Sequence, residues 1–201
     1  MREYKSMAHM SSLGQIWLIR HGETEWSASG KHTGRTDIGL TEEGVRRAEA
    51  ISRRLAGHRF SRVLSSPLKR AIETCRLAGY GDVVQIDPDL AEWDYGVFEG
   101  RTTTEIRAER PDWTIWNTEI PGGESLDDVA ARAYRVIERL AAENGDVAIF
   151  SHGHLLRILA VCWLGLPPDS GRLFALDTGA ISILGHERTT RVIRLWNETS
   201  R

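Results

Sequence analysis

A chain of 201 residues is long enough to bury one complete hydrophobic core and short for two, so a single domain is expected. With 41% hydrophobic and 27% charged residues and a formal net charge of −2, it carries no basic field for a nucleic acid or a membrane surface, which leaves a small molecule as the expected partner. Cys75 and Cys162 stand far apart with no C-x-x-C spacing, which excludes a disulfide framework and a cysteine metal clamp and suits a reducing, cytoplasmic compartment.

Residues 1–13 have no apolar run behind their charges and read as a mobile leader, some of it added in cloning, with Met7 and Met10 each usable as a start. Residues 14–201 are read as the domain itself. "QIWLI" (15–19) is a buried strand, far too short to span a bilayer. A helix follows over "LTEEGVRRAEAISRRLAG", with Thr41 as N-cap, acids in its first turn and Val45, Ala48, Ile51 and Leu55 along one side. "RVLSS" (62–66) is the next strand, and Ser66-Pro67 reads as N-cap and first helical residue of a helix that places Arg70 one turn inside. "VVQI" (83–86) is a third strand. The stretch from about 98 to 124, rich in Trp, Pro and Gly, is less periodic and reads as a cap-like insertion of a short helix and loop. From Ser125, the positions Leu126, Val129, Ala130, Ala133, Val136, Ile137, Leu140 and Ala141 keep a helical period that Gly145 should stop. "DVAIF" (146–150) is a strand, "SHGHLLRILAVCWLG" a helix, and "ISIL" with "RVIRLW" a closing strand pair. This alternation predicts an α/β fold, a three-layer α/β/α sandwich around a mostly parallel sheet.

Ligands of such sheets bind beyond the carboxyl ends of the strands. Three strand ends there carry ionisable groups: Arg20 and His21, then Arg70, then His152. Two arginine forks fit phosphoryl oxygens, a neutral imidazole is a competent nucleophile, and a protonated imidazole can hold an oxyanion. A leaving alkoxide needs a proton as well. Glu92, between Leu90 and Trp93 and just after a short predicted strand, is the candidate acid, with burial expected to favour its protonated form. If Glu92 must be protonated and His152 charged, the rate should fall as pH rises. His32 and His154 are further polar candidates near the mouth of the site, and Trp113 and Trp116 the tryptophans expected nearest the substrate. The pair in "HGH" lacks a third ligand at suitable spacing, so no metal is expected.

Taken together, "LIRHGETEW", "TGRTDIGLTEEG", "SSPLKRAIET", "LAEWDYGVFEG", "PGGES" and "FSHGHLLR" resemble the histidine phosphatase (phosphoglycerate mutase-like) superfamily, in family order over roughly residues 15–185. The resemblance implies a phosphoglycerate mutase-like fold and a phosphohistidine mechanism without metal or other cofactor. His21 would be the nucleophile, Arg20, Arg70 and His152 would complete the phosphate pocket, and Glu92 would be proton donor and then base for water. Thr33 and Gly34 stand where the family makes substrate or phosphate contacts, Ser27 where it often has Asn, and Gly153 and His154 follow the second histidine.

Cofactor-dependent mutases of the family carry an Arg beside the acid, a Lys further on and a long basic insertion. Here Trp93 follows Glu92 and Thr103 falls near the Lys position. The resemblance therefore favours a phosphatase, in a branch that includes bacterial acid phosphatases and fungal sedoheptulose-1,7-bisphosphatases, acting on small phosphomonoesters such as sugar phosphates. Arg35, Arg101 and Arg107 are candidates to receive a second phosphate. The alternatives are a cofactor-dependent phosphoglycerate mutase and a non-catalytic phospholigand-binding protein. A homodimer is compatible with the sequence and is not decided by it.

Overall fold

Continuous apolar runs become the middle of a sheet, because only a strand covered on both faces can bury every side chain. The computed structural model describes residues 14–141 and 143–199; the expected leader lies outside them. In chain order the main elements are β1 (Ile16–Arg20), α1 (Glu25–Ala28), α2 (Glu42–Leu55), β2 (Arg62–Ser65), α3 (Lys69–Leu77), β3 (Val84–Ile86) and α4 (Thr103–Glu109). They continue with α5 (Leu126–Leu140), β4 (Val147–Ser151), α6 (Gly153–Leu164), β5 (Ile181–Glu187) and β6 (Thr190–Glu198). The strands form one six-stranded sheet in the order β3-β2-β4-β1-β5-β6. The first four run parallel, and β5 and β6 add antiparallel pairings at one side.

Alternation along the strands divides the core in two. Ile16 and Leu18 of β1, with Val147 and Ile149 of β4, join the face covered by α5, α6 and the 98–124 segment. Trp17 and Ile19, with Ala148 and Phe150, join the face covered by α2 and α3. The apolar stripe of α5 is buried as its period predicts, each of its Val, Ile and Leu side chains contributing about 1.5–3 kcal/mol. The 98–124 segment is also anchored, since Ile106, Trp113, Ile115 and Ile120 enter the first of these cores.

Three local expectations are corrected. Ser66 does not cap α3: the helix starts at Lys69, whose N–H is instead received by Asp37 (2.7 Å), while the Ser66 hydroxyl lies against His152. Glu92 follows a 3-10 turn at Pro88–Leu90 rather than a strand, because Asp87 accepts the Asp89 N–H and starts a turn. α5 ends at Leu140, well before Gly145.

Adjacent strands β1 and β4 lead to helices on opposite faces, β1 towards α2 and β4 into α6, which opens a crevice at their carboxyl ends. One rim of that crevice is tied to the inserted segment. Lys31 and Thr102 form an isolated antiparallel bridge, His32 N–H donates to Arg101 O (2.9 Å), and Gly100 N–H donates to His32 O (2.9 Å).

Candidate active site

Strand register brings the candidate residues together. Arg20 pairs with Ser151 across β1 and β4, so His21 and His152 each follow directly from aligned strand ends, with ring centroids 5.1 Å apart. The backbone around the first histidine is pinned: His21 N–H donates to Ser151 O (3.0 Å), Gly179 N–H to His21 O (2.9 Å), and Gly22 N–H to the Thr74 hydroxyl (3.0 Å). Gly22 must be glycine, because a Cβ there would lie 2.4 Å from the Gly44 carbonyl oxygen at the start of α2.

The imidazole of His21 is fixed in one tautomer. Its Nδ1 lies 2.7 Å from Gly22 O, and a carbonyl only accepts, so Nδ1 carries the proton. Nε2 therefore keeps its lone pair. It has no protein partner among the described residues, and His21 lines a cleft of about 190 Å³. Burial first, then the charges of Arg70 and Arg20, hold the His21 pKa well below 6.5. The ring is neutral at neutral pH.

Arg20 lies beside it. One Nη donates to Leu176 O, while Nε is buried with no hydrogen-bond partner among the described residues. A desolvated guanidinium N–H without an acceptor is costly, and an anion in the cleft would satisfy it. Arg70 is more withdrawn. Its Nη atoms donate to the carbonyls of Thr33, Gly34 and Thr36 (each 3.0 Å) and its Nε to His152 Nδ1 (3.2 Å), so it sits behind the cleft wall.

The charge state expected for His152 is corrected by the same contacts. Nδ1 accepts from Arg70, and Nε2 meets the Ser66 hydroxyl at 2.6 Å, so the ring is neutral. Burial first, then Arg70 and His21, push its pKa well below 6.5. The setting expected for Glu92 is also different. Its carboxyl is buried as expected, but it accepts backbone N–H groups from Trp93 (2.9 Å), His154 (3.1 Å) and Leu155 (3.0 Å), the latter two at the amino end of α6. Glu92 is the carboxylate in the lining of the cleft.

The remaining candidates separate. Ser27 lines the cleft, but its hydroxyl donates to Thr24 O and accepts the Thr24 N–H, completing the capping box of α1. Thr33, Gly153 and His154 line it too. Gly34 does not: its N–H donates to Glu99 (2.8 Å), and a Cβ would lie 2.5 Å from Trp93 O, so its role is close packing. Trp113 and Trp116 stand behind the lining, Trp113 against His32, and Trp116 against His154 and Arg157.

One cluster was missed from sequence. Arg132 on α5 forms a two-pronged pair with Glu124 (2.8 and 2.9 Å) and donates to the carbonyls of Asp89 (2.7 Å) and Ala91 (2.8 Å), fixing the loop that presents Glu92. A signal was present, since an arginine three residues after Val129 and four before Val136 falls on the apolar face of the helix. Both cysteines are free and buried, with the Cys75 thiol pushed up to about 12 by burial. Among the described residues no helix is long and apolar enough to cross a membrane.

Residues 16–199 match the family model of the histidine phosphatase superfamily (branch 1). The chain belongs to that superfamily. The acid phosphatase of Mycobacterium tuberculosis is 41% identical over 182 residues, covering 88% of this chain and 89% of the relative. A probable phosphoglycerate mutase, GpmB of Erwinia tasmaniensis, is 32% identical over 192 residues, covering 90% and 89%. The solved structure of a mycobacterial glucosyl-3-phosphoglycerate phosphatase in complex with VO3 superposes with a TM-score of 0.83 at 28% identity, covering 92% of this chain and 100% of that one. The histidine phosphatase described here is thus an enzyme of the phosphatase type with a phosphoglycerate mutase-like fold, as its motifs imply.

The neutral state of its imidazoles has a measurable consequence. His21, His152 and His154 are held well below 6.5 and His32 is lowered to about 4, in each case chiefly by burial. The unfolded chain takes up protons near 6.5 while the folded one does not, so stability is complete above that pH and lost as pH falls towards the folded pKa values. The limiting slope is about 1.4 kcal/mol per pH unit for each histidine. Denaturant midpoints should drop from pH 7 to pH 5, and nitrogen NMR should show His21 as the Nδ1–H tautomer without titration down to pH 5.5. A pH-independent midpoint, or a His21 titration near 6.5, would contradict this.

Proposed function

We propose that this enzyme hydrolyses small phosphomonoesters, sugar phosphates among them, through a phosphohistidine on His21 and without a metal. The observation that carries the reading is the open Nε2 of His21 beside the unpartnered Nε–H of Arg20. In the first step the Nε2 lone pair attacks phosphorus, an N–P bond forms and the ester P–O bond breaks. Glu92 gives the proton that the departing alkoxide needs. In the second step Glu92 takes a proton from water as its oxygen bonds to phosphorus, the N–P bond breaks, and His21 is regenerated with inorganic phosphate released.

Charge on the transferring group is met by Arg20 at close quarters and by Arg70 and His152 from behind. His152 can donate to that group while neutral, since its Nδ1 accepts from Arg70 and its proton is therefore on Nε2. Transfer to water rather than back to a bound product is supported by Trp93 beside Glu92 and by Thr103 near the position where cofactor-dependent mutases of the family carry a lysine.

The reading is tested by quenching steady-state turnover of a labelled aryl phosphate in base and mapping the label. Acid-labile, base-stable phosphate on His21, with activity that persists in excess chelator, is the expected result. Label on another residue, or activity abolished by chelator and restored by a divalent cation, would refute it. A bisphosphate primer should not stimulate turnover.

A further inference from the structure

Strand β6 carries one residue too many for its pairing with β5. Ile183 opposes Leu195 and Ile181 opposes Glu198, so Trp196 and Asn197 stand where β5 offers Ser182 alone. The extra residue is accommodated by a left-handed backbone at Asn197, φ 58°, which asparagine tolerates better than most side chains. The Asn197 N–H leaves the ladder and donates to the buried Ser182 hydroxyl (3.0 Å). A bulge of this kind re-aims side chains.

Here it aims two of them at the loop before β5. Trp196 Nε1–H donates to Ala175 O (2.6 Å), and its ring packs edge-on with Phe174, centroids 5.1 Å apart. Asn197 holds Asp177 at two points: its Oδ1 accepts the Asp177 N–H (2.7 Å) and its Nδ2 donates to the Asp177 carboxylate (3.0 Å). Asp177 O then accepts the Ala180 N–H (3.2 Å), closing a turn with Gly179 at φ 74°.

Arg20 and His21 depend on that loop. Leu176 O accepts from an Arg20 Nη, Ala180 O accepts the Arg20 N–H (3.1 Å), and Gly179 N–H donates to His21 O (2.9 Å). Asp177 also bears on the guanidinium through its charge. Burial holds the Arg20 pKa below its usual value, and Asp177 is among the acids that partly offset this. Arg20 and Asp177 line one polar hollow beside the cleft, yet among the described residues no carboxylate lies within 4.0 Å of the guanidinium. An acid free to swing would compete with phosphate for the open Arg20 Nε–H. The Asn197 amide keeps this one occupied.

We propose that Asn197 is a positioning residue for Arg20: by holding Asp177 at its N–H and its carboxylate, it fixes the 175–180 loop and keeps the guanidinium open to the phosphoryl group. This rests on the phosphatase reading and adds to it a residue of the last strand, outside the motifs that carry the family resemblance.

The test compares Asn197→Gly, which keeps the backbone conformation and loses the side chain, with Asn197→Asp, Asp177→Asn and the last two combined. Calorimetry with inorganic phosphate and kcat/KM on an aryl phosphate are measured on samples shown to be folded by circular dichroism. Asn197→Gly should bind phosphate about tenfold more weakly, the effect of one weakened hydrogen bond to a charged group. Its kcat/KM should fall roughly 10- to 100-fold, since a displacement of about 1 Å is enough for the larger figure. A loss of stability alone would lower the melting temperature without moving the phosphate affinity of the folded protein.

Asn197→Asp sets two carboxylates against each other and should lose as much, whereas Asp177→Asn keeps an acceptor for the Asn197 amide and should lose little. In the combined variant an amide again faces a carboxylate, with donor and acceptor exchanged, so both measurements should return to within about threefold of wild type. A glycine variant that binds phosphate and turns over like wild type overturns the proposal, as does a combined variant no better than Asn197→Asp. The hydrolase reading fails separately: wild-type protein that binds phosphate but turns over no phosphomonoester loses that reading, while the phosphate titrations still decide the role of Asn197.

Discussion

Replacing His21 with alanine should reduce turnover of any phosphomonoester by about a million-fold, the order seen when the acting nucleophile of a catalytic unit is removed. Nothing else in the cleft replaces it. His152 is engaged at both ring nitrogens, by Arg70 and Ser66, and His154 Nδ1 is engaged by Tyr95. The fold should tolerate the change, because the backbone at position 21 is pinned independently of the imidazole and the ring makes its one hydrogen bond to the next residue. Removing one of the four depressed histidines should also make the variant less sensitive to acid, narrowing but not closing the gap between its denaturant midpoints at pH 7 and pH 5. Initial rates on an aryl phosphate, compared with circular dichroism melts, separate the two effects. Activity within tenfold of wild type would remove His21 from the role of nucleophile.

Arg132→Met should be the most damaging change away from the cleft. Arg132 is 8% exposed, and its guanidinium satisfies both carboxylate oxygens of Glu124 and the carbonyls of Asp89 and Ala91. Breaking a buried pair from one side costs about 3–5 kcal/mol when the remaining charge is left alone, and somewhat less here because Glu124 keeps the exposed Arg35 at 3.8 Å and the Asp94 N–H at 3.0 Å. Glu92 follows directly from those carbonyls, so its carboxyl should also lose its position against the start of α6, and a displacement of about 1 Å is enough for a roughly 100-fold loss in rate. The double variant Arg132→Met with Glu124→Gln removes the stranded charge and should recover much of the stability but little of the rate. Chemical denaturation and kcat measured on the same samples distinguish these outcomes. A single variant with wild-type stability, or a double variant with restored rate, would show that the clamp does not position Glu92.

The strands and the long helices were legible because their signals are local. A fully buried strand must be apolar at every position, as "IWLI" and "VAIF" are, and α5 repeats its stripe over four turns. The convergence of Arg20, His21, Arg70 and His152 was legible as well, since all four follow strand ends in a parallel sheet. What failed to show was every property that depends on a distant neighbour. Burial around Glu92 could be inferred from Leu90 and Trp93, but its N–H donors include residues 62 and 63 positions away. The neutral state of His152 depends on the Arg70 Nε–H that it accepts from 82 positions away. Arg35, Arg101 and Arg107 looked free because their acceptors lie on loops and helix faces whose packing no pattern in the chain announces. Ser66 looked like a cap for the same reason.

The bridge from Lys31 to Thr102, with the paired bonds between His32 and residues 100 and 101, joins the mouth of the cleft to the inserted segment. Two kinds of anchoring therefore meet at the cleft. The strand ends that carry His21 and His152 belong to the sheet, whereas the rim at Lys31 and His32 leans on a segment outside the sheet that is held by Ile106, Trp113, Ile115 and Ile120. A change in the packing of that segment can reach the rim while the strand ends keep their register.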